Sequence, residues 1–179
     1  MNLPNKLTMA RIFMTPLFIA AYMLDMFIIA LAIFILASLT DLADGKIARK
    51  YNLVTDFGKI MDPLADKVLV YSAFCLLVGD SIIPSWAFII ILAREFLIAG
   101  MRTVAASHGT VIAAGMSGKL KTVVQMVAVP TLILALSMKE SEYYTYVLYF
   151  AQFLIYASVV MNVYSGTEYV IKNKYVFKQ

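Results

Sequence analysis

The chain has 179 residues, of which 62% are hydrophobic and only 15% charged, with a net charge of +4. Ordinary soluble domains are about 45–50% apolar, and a chain this short cannot hide the excess in one core, so a bilayer is the expected solvent and a mean hydropathy of +0.83 agrees. The small positive charge does not call for nucleic acid, and the single cysteine, Cys75, excludes an intrachain disulfide or a metal–thiolate cluster.

Six apolar segments follow one another, over residues 8–24, 26–48, 58–79, 84–106, 118–138 and 143–165. Each is close to the ~20 residues that a spanning helix needs. Lys6 and Arg11 before the first segment resemble the start of a secretory signal, but no small-residue cleavage site follows and a second apolar run begins at once, so residues 1–24 are expected to be retained. Asn5 and Thr8 are placed to cap the first helix. Turn-forming residues separate the segments at Asp25, Gly79–Ser81 and Lys139–Glu142. Pro63 and Pro130 fall inside segments and are expected to loosen them locally. Cys75, within an apolar run, is expected to be a small buried hydrophobe. His108, in Ser107-His108-Gly109, reads as a loop residue. Trp86, Tyr143, Tyr144 and Tyr146 suit an interfacial aromatic belt.

Charge tests the span count. With six spans, every lysine and arginine except Lys139 falls at the same end. Basic residues stay cytoplasmic, which places both termini and the 49–57 and 107–117 connections in the cytosol. The expected fold is therefore an all-α integral membrane domain over 1–179, with six transmembrane helices.

The second segment runs into Asp41-Leu42-Ala43-Asp44-Gly45-Lys46-Ile47-Ala48-Arg49. Positions 41, 44, 45 and 48 share one helical face, as do Gly58, Asp62 and Asp66 in the third segment. A short connection makes these helices antiparallel neighbours whose cytosolic ends meet, so four carboxylates converge at the membrane boundary. Such a cluster is costly near lipid. Lys46, Arg49, Lys59 and Lys67 could neutralise it as a structural ion-pair network. Alternatively hard divalent cations sit among the oxygens; the absence of neighbouring His or Cys argues against zinc. Gly45 would let a ligand come close, and Ala48 would let helices pack tightly.

Asp41-x-x-Asp44-Gly45-x-x-Ala48-Arg49, eight residues, then Gly58-x-x-x-Asp62-x-x-x-Asp66, resembles the complete signature of the CDP-alcohol phosphotransferases. The opening Asn2-Leu3-Pro4-Asn5-Lys6-Leu7-Thr8, Asp62-Pro63-Leu64-Ala65-Asp66-Lys67, Ala93-Arg94-Glu95-Phe96 leading to Arg102, and Lys119 are similar to the branch that accepts sn-glycerol 3-phosphate. The resemblance implies an enzyme that joins CDP-diacylglycerol to that acceptor and releases CMP. It implies two divalent metals per site, Mg2+ or Mn2+, with Asp41 and Asp62 bridging them, Asp44 on one and Asp66 on the other. Asp66 would also be the general base. Asn5, Thr8, Gly45, Arg49 and Thr55 would surround the nucleotide of the lipid donor, and relatives suggest a homodimer among membrane lipids.

The acceptor phosphate requires a basic pocket beside the metals. Arg94, Arg102, Lys119 and Lys121 are the candidates, with Arg11 possible; each alternatively reads as an orientation charge. Arg94 stands out because a charge within a span needs a partner. Glu95 projects about 100° away on the same helix and is not expected to be that partner by itself. Lys172, Lys174 and Lys178 could attract anionic lipid or simply orient the chain. Three alternatives remain at this level: the same chemistry with inositol phosphate, serine or phosphatidylglycerol as acceptor, an ion-coupled transporter, and a purely structural membrane protein. A transporter would place its acids nearer the bilayer centre.

Overall fold

In a computed structural model the backbone is described for residues 3–50, 56–110, 112, 115–174 and 176, and side chains for 5–40, 58, 61–110, 112, 115–174 and 176. The described residues form six helices: α1 (Leu3–Met23), α2 (Phe27–Lys50), α3 (Asp56–Gly79), α4 (Ser85–Ser107), α5 (Met116–Ser137) and α6 (Tyr144–Lys172). Each apolar segment is one helix. Two departures occur at the ends. α1 begins at Leu3, so Asn5 and Thr8 lie within the helix instead of capping it. α6 runs past residue 165 to Lys172, because leaving an apolar stretch does not end the i to i−4 hydrogen-bond ladder.

The turns follow local chemistry. Asp25 and Ser81 hold φ values of 57° and 59°, the left-handed region that short polar side chains tolerate. The Tyr22 hydroxyl donates to Asp80 Oδ2 at 2.8 Å, tying the end of α1 to the α3–α4 turn. Pro63 and Pro130 sit inside α3 and α5 as expected. His108 follows α4 and is exposed.

α1 packs along both α2 and α3, α2 also lies on α5, α5 pairs with α6, and α6 with α4. Among the described residues α2 and α3 touch along little of their length. They are joined in sequence, and α1 packs against both. The larger part of the core is an apolar cluster containing Phe18, Phe34, Leu69, Phe74, Leu77, Leu132, Ile133 and Ile155, and a second, smaller cluster joins Ile98, Met101 and Tyr169. Phe18 meets Phe34 at a centroid separation of 5.7 Å, and Phe74 stacks on Phe88 at 5.5 Å. Cys75, expected inside, is exposed: its neighbours Ala73 and Phe74 occupy the inward positions, and the next residue turns outward.

Large apolar side chains also cover the outside, with Phe13, Ile28, Phe96, Phe153 and Val160 all more than half exposed. Soluble monomers rarely carry so much. α5 and α6, with 22 and 29 residues and peak mean hydropathies of 1.7 and 1.6, are each long and apolar enough to cross a bilayer.

Candidate functional site

Asp62 and Asp66 lie one turn apart on α3 and are both partly buried. The Thr8 hydroxyl of α1 donates to Asp62 Oδ1 in a short hydrogen bond. Thr8 is wholly buried and Asn5 nearly so. The early start of α1 thus brings its polar first turns against the acidic face of α3. Asp41, Asp44, Gly45 and Arg49 belong to α2 by backbone, but their side chains lie outside the described residues, and Thr55 lies outside them altogether. Among the described residues no three acidic, histidine or cysteine side chains gather into a metal-holding group. The donor set that is described consists of carboxylate oxygens, which suit a hard divalent cation. Arg11 is fully buried and directs its Nε to the Ala37 carbonyl of α2 at 3.3 Å, so it links α1 to α2 and is not among the residues bordering the basic cavity.

Arg94, Arg102, Lys119 and Lys121 are brought together. All four line a single cavity of about 500 Å3, which Lys67 and Lys172 also border. Six cations face two acids there, Glu95 and Glu168. Like charges in a partly desolvated space repel strongly, and the volume is within the ~300–1,000 Å3 typical of small-ligand sites. An anion with more than one negative charge would relieve the surplus.

The cations are held by specific partners. Arg94 Nη1 donates to Glu95 Oε1 at 3.0 Å and Nη2 to Ser165 Oγ at 3.2 Å. Glu95 is therefore a partner of Arg94 despite the angular separation along the helix, because two long side chains can bend toward each other. Glu95 also receives Lys121 in a close contact and Lys67 at 3.6 Å. One carboxylate from α4 thus organises cations from α3, α4 and α5. Arg102 Nε donates to the Tyr169 hydroxyl at 3.1 Å and its guanidinium lies 5.5 Å from the Tyr169 ring centroid, a cation–π arrangement. Ser117 donates to Glu168 at 2.7 Å, fixing the α5–α6 wall.

Two glycines make room for Arg94. A Cβ added at Gly118 would stand 3.3 Å from Arg94 Nη2, and one at Gly166 would stand 3.1 Å from Arg94 Cγ. Both are tighter than ordinary contact. The absence of a side chain on α5 and α6 lets the arginine from α4 lie across them. Glu95 as a hub, and Ser165, Glu168 and Tyr169 as wall residues, are not among the positions that the sequence singles out. The last three lie at or beyond the end of the sixth apolar segment, where a helical continuation carries no hydropathy signal.

Similarity to known proteins follows the same outline. The family model for CDP-alcohol phosphatidyltransferase matches residues 1–164. A CDP-diacylglycerol–glycerol-3-phosphate 3-phosphatidyltransferase of Bacillus subtilis (strain 168) is 42% identical over 188 residues, covering 96% of this chain and 95% of that protein. Relatives with the same name are 43% identical over 136 residues in Rickettsia felis, covering 74% of this chain and 75% of the relative, and 34% identical over 180 residues in Haemophilus influenzae, covering 94% and 91%.

Proposed function

The chain belongs to the CDP-alcohol phosphatidyltransferase family, and from this we propose that it transfers the phosphatidyl group of CDP-diacylglycerol to sn-glycerol 3-phosphate, giving phosphatidylglycerophosphate and CMP. It is a CDP-diacylglycerol–glycerol-3-phosphate 3-phosphatidyltransferase. The observation that carries the choice of acceptor is the cation-lined cavity bordered by Arg94, Arg102, Lys119 and Lys121, which shares Lys67, Glu95 and Lys121 with the crevice containing Asp66. An acceptor with a phosphate at one end and a hydroxyl at the other fits that arrangement.

In this reading the cationic side chains bind the acceptor phosphate, Arg94 by its planar guanidinium, and thereby bring the distant hydroxyl to Asp66. Asp66 takes the hydroxyl proton as the acceptor oxygen bonds to the phosphatidyl phosphorus and the pyrophosphate bridge to CMP breaks. Positioning of this kind supplies much of the rate, since it makes the encounter effectively intramolecular. Two divalent ions, Mg2+ or Mn2+, held by Asp41, Asp44, Asp62 and Asp66, supply neutralisation of the pyrophosphate charge when bound. Thr8, through its bond to Asp62, orients that carboxylate, and Asn5, Gly45, Arg49 and Thr55 lie with it around the cytidine nucleotide.

The domain spans 1–179 as one unit. Its six helices cross the cell membrane with both termini and the site on the cytosolic side; the one-sided distribution of lysine and arginine and the exposed apolar faces of the helices support this. We include a homodimer in the proposal, with membrane lipids around it. The test is incorporation of radiolabelled sn-glycerol 3-phosphate into lipid by purified protein supplied with CDP-diacylglycerol, in competition with serine, inositol phosphate or phosphatidylglycerol. Label should enter lipid and CMP should appear in equal amount. Background incorporation alongside transfer to another acceptor would reject glycerol 3-phosphate.

A further inference from the structure

Next to the cationic cavity is a smaller crevice of about 160 Å3, lined in part by Asp66, Tyr71 and Gln125. Lys67, Glu95, Lys121 and Thr122 border both spaces, so they share a wall. The register is regular. Lys67 and Tyr71 on α3, and Lys121 and Gln125 on α5, are each four residues apart and share a helical face. Each wall therefore carries a cation and, one turn further along, a neutral polar side chain.

One polar atom of each of those neutral groups is unused. Tyr71 Oη and Gln125 Nε2 are buried and have no hydrogen-bond partner among the described residues, and Gln125 is only 6% exposed. Buried polar atoms are nearly always satisfied, so an unpaired pair on one crevice points to something that completes them. The phenol offers a donor, and a carboxamide offers both donor and acceptor. Neither carries charge. Both unpaired atoms are donors, so they call for an oxygen acceptor, and with the phosphate held by the neighbouring cations the oxygen left to fill that role is a hydroxyl.

Resting on the acceptor assignment above, we propose that the Gln125 carboxamide, with the Tyr71 hydroxyl beside it, recognises the middle-carbon hydroxyl of the acceptor, the one that does not react. With the phosphate in the cationic cavity and the terminal hydroxyl at Asp66, the middle carbon lies along the shared wall. At about 160 Å3 the crevice has room for a three-carbon chain with its hydroxyls. Gln125 and Tyr71 act on specificity, and the proton transfer belongs to Asp66. A site built to pair a substrate hydroxyl rejects an analogue lacking it, because its own buried groups are then left unpaired.

The test compares sn-glycerol 3-phosphate with 3-hydroxypropyl phosphate, which keeps the reacting hydroxyl and the phosphate but lacks the middle hydroxyl. The full chain in phospholipid–detergent micelles should prefer the natural acceptor by at least about 30-fold in kcat/KM. Gln125→Met should bring the preference to within about threefold, mainly through loss with the natural acceptor, and Tyr71→Phe should lower it less. Because the ratio is read within one preparation, it does not depend on how much protein is folded. An unchanged ratio in Gln125→Met overturns the proposal. Equal loss with both acceptors also overturns it, since the side chain then serves the fold or the shared chemistry. Should Gln125→Met not fold, the shorter Gln125→Asn must show the same loss of preference for the proposal to stand. Failure of the acceptor assignment itself looks different: the unaltered protein would use neither phosphate.

Discussion

Asp62 and Asp66 stand on one helix with Thr8 of α1 against them, whereas the cations of the neighbouring cavity come from α3, α4, α5 and α6 and meet through Glu95 and the residues of α6. The acidic side rests on spacing within helices that are close in sequence. The basic side rests on tertiary packing, with two glycines making room for an arginine from a third helix. One half of the site is therefore written as a motif and the other only as a fold. The acids should respond to change in an all-or-none manner, and the cations in graded steps.

The largest effect is expected at Asp66. Asp66→Asn keeps the size and removes the proposed proton acceptor, and transfer should fall by about 10^3-fold, within the ~10^2–10^4 range of general acid–base catalysis, measured as lipid-incorporated label with protein of unchanged helix content. Residual activity within tenfold of the parent would mean that the proton goes elsewhere. Arg94→Met is the next step down. It removes two hydrogen-bonding arms from the cavity, and kcat/KM for sn-glycerol 3-phosphate should drop by about 100-fold, the order expected from ~2–5 kcal/mol for truncating a buried charged contact. The KM for CDP-diacylglycerol should hold steady; an equal rise in both would erase the distinction between the two sides. The mildest probe is Gly166→Ala. Its new methyl presses on Arg94 Cγ, and a shift of a few tenths of an ångström should raise the acceptor KM by roughly threefold to tenfold, with kcat nearly constant in steady-state assays.

This contrast also explains what the sequence disclosed. Six apolar runs at spanning length, broken by Asp25 and by Gly79–Ser81, mark out the six helices, because apolar length and turn chemistry are local properties. The aspartate spacing is local too, being set by the helical repeat. Glu95 escaped for the opposite reason. Its angular position beside Arg94 argues against a bond, and its partners Lys67 and Lys121 are 28 and 26 residues away. Only the packing of α3 and α5 against α4 brings them together. Thr8 looked like a cap and is instead an inward-facing donor, since the helix starts a turn before the apolar run does. Lys121 and Arg102 could be read equally well as orientation charges, and nothing in a linear chain distinguishes a cation facing the cytosol from one facing a cavity.

The proposed transfer depends above all on carboxylates of α2 and α3 holding divalent cations together. Mn2+ binding to the purified protein, followed by the loss of its free-ion paramagnetic resonance signal, measures this without reliance on turnover. Two ions should bind per chain, and Asp62→Asn, which alters the ligand proposed to be shared, should release both while leaving the helices intact. Undiminished Mn2+ binding in Asp62→Asn, or none in the unaltered protein at millimolar metal, would contradict it.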